Sequence, residues 1–310
     1  KVNAVAFSPP DGALLASGSE TGTIRLWDVQ SKSLVHVFEG RNASVFSVAF
    51  SPRGDLLASG SKDETIKLWD VRSRSHVQTL EGHSSCVWSV AFSPRCDLLA
   101  SGSDDTTIKL WDVPSRRVLH TFEGHLDRVF SVAFSHPDGT LLASGSGDKT
   151  VKLWNPSRKS LVHTFALHGA TVWSVAFSPH GDGALLASGS MDKTIKFWNA
   201  QSLESVGETI ETPEWIESVA FAPPDGALLA SGSLDKTVQL RTVPYQAPFV
   251  FEVLVEAERE PAPARAPTSA VGDDNATVAA TPSADRRVVV PAPLLRAAAA
   301  TSGTSGSRIF

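Results

Sequence analysis

Two cysteines in 310 residues exclude a disulfide framework. Cys86 precedes a predicted strand and Cys96 follows it, and at ~3.3 Å per residue that strand holds them too far apart to bond. Two unpaired thiols suit a reducing compartment, and no neighbour in sequence would lower either pKa enough to make the thiol reactive. Basic charge is also scarce: 28 Lys and Arg stand against 33 Asp and Glu, a net charge of −5. That balance argues against a nucleic-acid platform, which needs clustered cations to meet phosphates. No apolar run approaches the ~20 residues needed to cross a bilayer, so no membrane insertion is expected. The opening Lys1-Val2-Asn3-Ala4-Val5 lacks both the layout of a secretion signal and an initiator Met, as expected of a fragment or processed product.

What the chain has is repetition. Val45-Phe46-Ser47-Val48-Ala49-Phe50-Ser51-Pro52 is followed by Leu56-Leu57-Ala58-Ser59-Gly60-Ser61 and then Thr65-Ile66-Lys67-Leu68-Trp69-Asp70. The three blocks return from Val87, Val129, Val172 and Ile216, and they open the chain at Val2. The third block is marked by Trp27, Trp69, Trp111, Trp154 and Trp198, with Arg241 in the sixth place. Those markers are 42 to 44 residues apart, inside the ~40–45 residues of a four-stranded propeller blade.

Each block reads as strand. Ser-Val-Ala-Phe and Thr-Ile-Lys-Leu-Trp are short, β-branched or aromatic, and bounded by Pro, Gly, Asp and Ser. In Thr107-Ile108-Lys109-Leu110-Trp111 polar and apolar residues alternate, as in a strand with one face against a neighbouring sheet. A fourth strand is expected at Arg117–Phe122, and tight turns at 51–55 and 137–139. Lys67, Lys109, Lys152 and Lys196 recur in mid-strand and are expected to line solvated faces.

The third repeat carries Gly82-His83, Ser101, Asp105 and Trp111-Asp112, and with these residues the chain resembles the WD-repeat family over residues 1–257. The repeats, often matching for a dozen residues together, look like the arrays of fungal NACHT-WD (STAND-type) sensors and are similar to those of fungal mitochondrial-division adaptors. The resemblance implies an all-β propeller of six four-stranded blades, with repeats at about 1–40, 41–82, 83–124, 125–167, 168–211 and 212–257. The family most often closes with seven blades, latched by a blade built from both termini, and no such latch is visible here. A closed six-blade ring, an open ring short of a blade, and a ring completed by another chain all remain open, with six blades preferred. After about Glu258 the composition turns to Ala, Pro, Thr, Ser and Gly, so residues 258–310 are expected to be a disordered tail.

Asp, His and Ser in one repeat invite a hydrolase reading. The resemblance implies instead a buried network from Trp indole to Ser, His and Asp. It is complete in His83, Ser101, Asp105 and Trp111, in His125, Ser144, Asp148 and Trp154, and in His168, Ser188, Asp192 and Trp198. A catalytic triad need occur once, whereas a tether recurs in every blade. Arg41, Thr212, Arg241 and Thr21 break the set in the flanking repeats, which should be looser. Each His is alone in its blade, so no metal site and no cofactor are expected.

Where repeats otherwise agree, positions that differ are not required by the blade. One set precedes the turn Asp: Glu20, Lys62, Asp104, Gly147, Met191 and Leu234. A second opens the innermost strand: Asn3, Phe46, Trp88, Phe130, Trp173 and Glu217. A third lies two residues earlier: Ser44, Cys86, Arg128, Thr171 and Trp215. The resemblance places all three at the upper mouth of the channel. Phe46, Trp88, Phe130 and Trp173 then form an aromatic arc, with Arg128 and Glu217 beside it and Lys62, Asp104 and Met191 on the rim. Such an arc suits a protein or peptide partner, and its bland alternative is packing between adjacent blades. The expected function is a non-catalytic adaptor or sensor module in the cytoplasm, with the nucleus or the mitochondrial outer surface as other locations. The competing readings are an adaptor in a mitochondrial fission complex and an enzyme using one blade's His and Asp.

Overall fold

In the described turns side chains close the chain reversals, and each repeat folds into an antiparallel meander. The computed structural model describes residues 1–39, 43–179, 184–223 and 225–243, with the backbone of 252–255. Blade one comprises β1 (Val2–Phe7), β2 (Leu14–Ser19), β3 (Ile24–Asp28) and β4 (Ser33–Phe38); blade two comprises β5 (Val45–Phe50), β6 (Leu56–Ser61), β7 (Ile66–Asp70) and β8 (Ser75–Leu80). Blade three holds β9 (Val87–Phe92), β10 (Leu98–Ser103), β11 (Ile108–Asp112) and β12 (Arg117–Phe122). In blade four these are β13 (Val129–Phe134), β14 (Leu142–Ser146), β15 (Val151–Asn155) and β16 (Ser160–Phe165). Blade five runs through β17 (Val172–Phe177), β18 (Leu185–Ser190), β19 (Thr194–Asn199) and β20 (Glu204–Glu211). Blade six has β21 (Ile216–Phe221), β22 (Leu228–Ser233), β23 (Val238–Thr242) and β24 (Glu252–Val255). Every sheet keeps sequence order, so the architecture is the expected six-bladed propeller of four-stranded antiparallel sheets.

The turns explain the local folding. Ser51 Oγ accepts the Leu56 N–H at 3.0 Å and donates to Asp55 Oδ1 at 2.6 Å. Gly54 takes the left-handed place in that turn, with φ 70°, and a Cβ there would lie 2.6 Å from the Pro9 carbonyl oxygen. In the second turn Asp105 Oδ1 accepts the Thr107 N–H at 2.9 Å and its hydroxyl at 2.6 Å.

Between blades the packing repeats as well. The outer side of one blade and the incoming side of the next form an apolar cluster, for example Ile108, Leu110 and Phe122 against Val129, Val132 and Trp154. A glycine of the second strand lets the blades approach: a Cβ on Gly102 would fall 2.7 Å from Val129 Cγ1. The inner-strand serines stitch the same joints. The N–H groups of Val90, Val132, Val175 and Val219 donate to Ser47, Ser89, Ser131 and Ser174 Oγ of the preceding blade at 3.0–3.1 Å.

The mid-strand lysines correct an expectation. Lys152 is buried, and Lys109, Lys152 and Lys196 donate across to Thr121, Thr164 and Thr209 at 2.9–3.0 Å. They tie the third strand to the outermost one; they do not line a purely solvated face. The tail 258–310, Arg41 and all of 244–251 lie outside the described residues.

Candidate functional site: the upper rim

The recurring tetrads fix the upper ends of blades three, four and five. His83, His125 and His168 each place Nε2 2.7 Å from the hydroxyl of Ser101, Ser144 or Ser188. The indoles of Trp111, Trp154 and Trp198 donate to the same three hydroxyls at 2.8 Å. The hydroxyl proton therefore points to Nε2, which assigns the other ring proton to Nδ1. Nδ1 in turn donates to Asp105, Asp148 or Asp192 at 2.7–2.8 Å. Each carboxylate also takes the N–H of Ser84, Leu126 or Gly169, next after the His, which pins the incoming loop.

Burial alone would raise these three Asp pKa values. The hydrogen bonds from His and Thr outweigh it and hold the carboxyls far below their ordinary range. Burial lowers the His125 pKa more than Asp148 raises it, keeping the ring neutral. The three serines are fully buried, with their protons committed to His and an indole on the lone pair. No substrate atom can reach that oxygen, so in these blades the Asp-His-Ser set is a tether.

The flanking blades depart as expected. Blade one keeps only the Trp27 donation to Ser17, at 3.0 Å. Blade six has Thr212 and Arg241 in the His and Trp places, and buried Ser231 Oγ has no hydrogen-bond partner among the described residues.

The channel aromatics sit on a device the sequence does not reveal. In every blade the register of the innermost strand slips by one residue, and the residue skipped is Asn3, Phe46, Trp88, Phe130, Trp173 or Glu217. A bulge re-aims its side chain away from the sheet face. Phe46 stacks on Trp88 with centroids 4.2 Å apart, and Phe130 lies 4.1 Å from Trp173. Trp88 also meets Trp173 at 6.4 Å, although blades three and five are not neighbours. The four rings thus pack on one another across the channel. Phe130 is buried and the other three are half-buried, so they form a plug with a partly open surface. The Trp88 indole donates to Asp104, which also faces Arg128 Nε at 3.6 Å.

Around this plug the other two variable sets interlock. Within each blade one backbone bond joins them: Lys62 to Ser44, Asp104 to Cys86, Gly147 to Arg128, Met191 to Thr171 and Leu234 to Trp215, at 2.9–3.0 Å. Between blades Ser44 Oγ reaches the Glu20 carbonyl at 3.0 Å, and Cys86 Sγ the Lys62 carbonyl at 3.7 Å. These bonds link the rims of blades one, two and three, and the rim is apolar on blade six. Trp215 and Leu234 are both exposed there, and Met191 holds the corresponding place on blade five. Trp215 and Leu234 both stand among the variable positions of the sequence, and the fold joins them through one backbone bond. Leu126, beside His125, is the most exposed large apolar side chain among the described residues, at 89%.

Both cysteines are free thiols, and burial raises their pKa values, with Asp104 adding to it at Cys86 and Asp55 at Cys96. Among the described residues no group of three His, Cys, Asp or Glu side chains could hold a metal ion, and no helix is long and apolar enough to cross a membrane.

Six antiparallel four-stranded blades, three of them tethered by His-Ser-Asp-Trp networks, define a WD-repeat β-propeller. That class generally serves as a protein-interaction scaffold and is typically non-enzymatic. A family model described as the IFT122 first beta-propeller matches residues 86–248, more than half of the chain. A second, the WD domain, G-beta repeat, matches residues 1–28 and 32–70. The chain belongs to the WD-repeat β-propellers, in the family that the first of these models describes. No curated protein matches it.

Proposed function

We propose that the chain is a non-catalytic scaffold that holds a protein or peptide segment on its upper rim, over the aromatic plug. The observation that carries this reading is the pairing of exposed Trp215 and Leu234 at the apolar end of the rim. An indole and a leucine joined through one backbone bond, with Met191 in the corresponding place on the preceding blade, offer a seat for an apolar anchor. Lys62, Arg128, Asp104 and Glu217 supply polar contacts around it. Asp104 is already engaged by Trp88 and Arg128, so it orients those two groups.

The likeness of the repeats to fungal NACHT-WD arrays supports a ligand-sensing role, and the likeness to mitochondrial-division adaptors supports an adaptor in a fission complex. Two free thiols accord with a cytoplasmic location. Selection of a displayed peptide library on the full chain tests the rim. Peptides with an apolar anchor should be enriched, and Trp215→Ala/Leu234→Ala should weaken them about 30-fold, the ~2 kcal/mol of one interface anchor. Failure to enrich any peptide, or binding indifferent to both substitutions at equal melting temperature, overturns the reading.

A further inference from the structure

The end of each blade opposite the rim is made by the turns from first to second strand and from third to fourth. In the latter turn one residue takes the left-handed conformation: Lys32, Arg74, Arg116, Lys159 or Leu203, with φ between 55° and 61°. Glycine or asparagine fits that conformation best, yet four consecutive blades put a long cation there. From blade two onward this residue stands at the lower mouth of the joint with the preceding blade, and each joint uses it differently. At the joint of blades four and five Leu203 packs on the apolar core. At the joint of blades three and four Lys159 Nζ donates across to the Leu119 carbonyl at 3.4 Å. At the joint of blades one and two Arg74 shares a hollow with Arg53 and Arg72, but also with Asp55 and Asp70. At the joint of blades two and three Arg116 stands at the mouth of an open groove.

That groove has a volume of about 590 Å³ and is lined by residues 76–81 of blade two and by Trp111, Arg116, Arg117 and Val118 of blade three. Consecutive residues of both parities line it, so it runs lengthwise along β8. Val77, Leu80, Trp111 and Val118 give it an apolar floor. Val77 is the residue skipped where β8 slips register on β7, and its side chain packs against the core of the joint. The equivalent Leu119 of the next blade is instead 43% exposed. Charge is divided along the groove. Glu81 stands at its upper end, and Arg116 and Arg117 stand at its lower end. Both arginines are exposed, and among the described residues neither forms an ion pair. Asp112, which opens their turn, is engaged by the Ser115 N–H at 2.7 Å.

We propose that this groove docks an extended, acidic segment of a partner protein, with one apolar side chain flanked by carboxylates. The apolar side chain seats on Val77, Leu80 and Val118 over Trp111, as Leu203 of this chain does at the joint of blades four and five. The carboxylates meet Arg116 and Arg117, whose planar guanidinium groups can each hold a carboxylate through two hydrogen bonds. The bulge at Val77 interrupts the free edge of β8, so the occupant is held by side chains and not as a fifth strand. The groove lies on the side of the propeller, apart from the upper rim, and can be tested apart from it.

The test selects, on the full protein, a displayed library of peptides with one fixed Leu and neighbours drawn from Asp, Glu, Ser, Asn and Lys. Clones rich in Asp and Glu should be enriched, and raised ionic strength should weaken them. Arg116→Glu/Arg117→Glu should bind those clones about tenfold more weakly or not at all. Arg116→Leu, which puts the residue of Leu203 into the mouth of the groove, should lose them too. These substitutions replace exposed side chains that form no ion pair, so the variants should melt as the parent does. Trp215→Ala/Leu234→Ala should bind the acidic clones as the parent does, which separates failure at the groove from failure at the rim. A library that yields no acidic clones overturns the proposal, and so does equal binding by the parent and Arg116→Leu. An equal loss in Arg158→Glu/Lys159→Glu overturns it as well, since net charge alone would then set the binding. Self-association lost in Arg116→Glu/Arg117→Glu would make a second copy the occupant, and amide protection across 256–310 lost in that variant would make it this chain's own segment; either result refutes a separate partner.

Discussion

One substitution, made at the same repeat position in three blades, should give three different costs. Ser144 Oγ accepts from the Trp154 indole at 2.8 Å and lies 2.7 Å from His125 Nε2, and it is fully buried. Ser144→Ala leaves a buried indole N–H and a buried ring nitrogen without partners. Each orphaned group costs about 1–3 kcal/mol, so the loss should be about 2–6 kcal/mol. Ser17 holds only the Trp27 indole, which is half-open to water, so Ser17→Ala should cost about 1 kcal/mol or less. Ser231 is 2% exposed, and its hydroxyl has no hydrogen-bond partner among the described residues. Replacing it removes a desolvated polar atom and orphans no other, so Ser231→Ala should be neutral or stabilise by up to ~1 kcal/mol. Urea denaturation of the three variants, followed by fluorescence of the indoles and by far-ultraviolet dichroism, gives the order directly. A Ser231→Ala variant as damaged as Ser144→Ala would refute the reasoning, because burial of a serine, not its network, would then set the cost.

Acid should unfold the propeller in two stages. Burial depresses His125 below its ordinary 6.5, so the stability gained by keeping it neutral is full above that pH and shrinks as pH falls below it. Asp105, Asp148 and Asp192 are depressed below 3.8, so their contribution persists until the pH drops under that value and is lost beneath it. A melting temperature unchanged between pH 7.5 and 3 would contradict both signs. Phe130→Ala should cost about 3–5 kcal/mol by denaturation, since the ring is buried against Trp88 and Trp173. A cost under ~1 kcal/mol would mean the ring is an exposed rim group after all.

Much of the blade was legible because its causes are local. Alternation in Thr107–Trp111 sets which side of a strand is apolar, and Asp105 closes its turn with Thr107 two residues away. The tetrads were legible for a related reason: a polar group that recurs with the blade needs the same partner in each. The lysines were misjudged because their Thr partners lie on the fourth strand, 12 or 13 residues on, outside any local pattern. The aromatic arc was found as a set of variable positions, but its state was not. Whether Phe46, Trp88, Phe130 and Trp173 fan outward or meet depends on a bulge and on the channel's width.

By itself, then, the amino-acid order determined the period, the strands, the turns and the three buried networks, in each of which the Trp stands ten residues after its Ser. Only the tertiary structure decided which variable residues become neighbours on the rim, and whether the last blade meets the first. Those outcomes depend on the small rotation from each blade to the next, a quantity summed over five joints and recorded in no single repeat. The contact of Trp88 with Trp173 across two joints, and the lack among the described residues of a core joining blade six to blade one, are consequences of that sum.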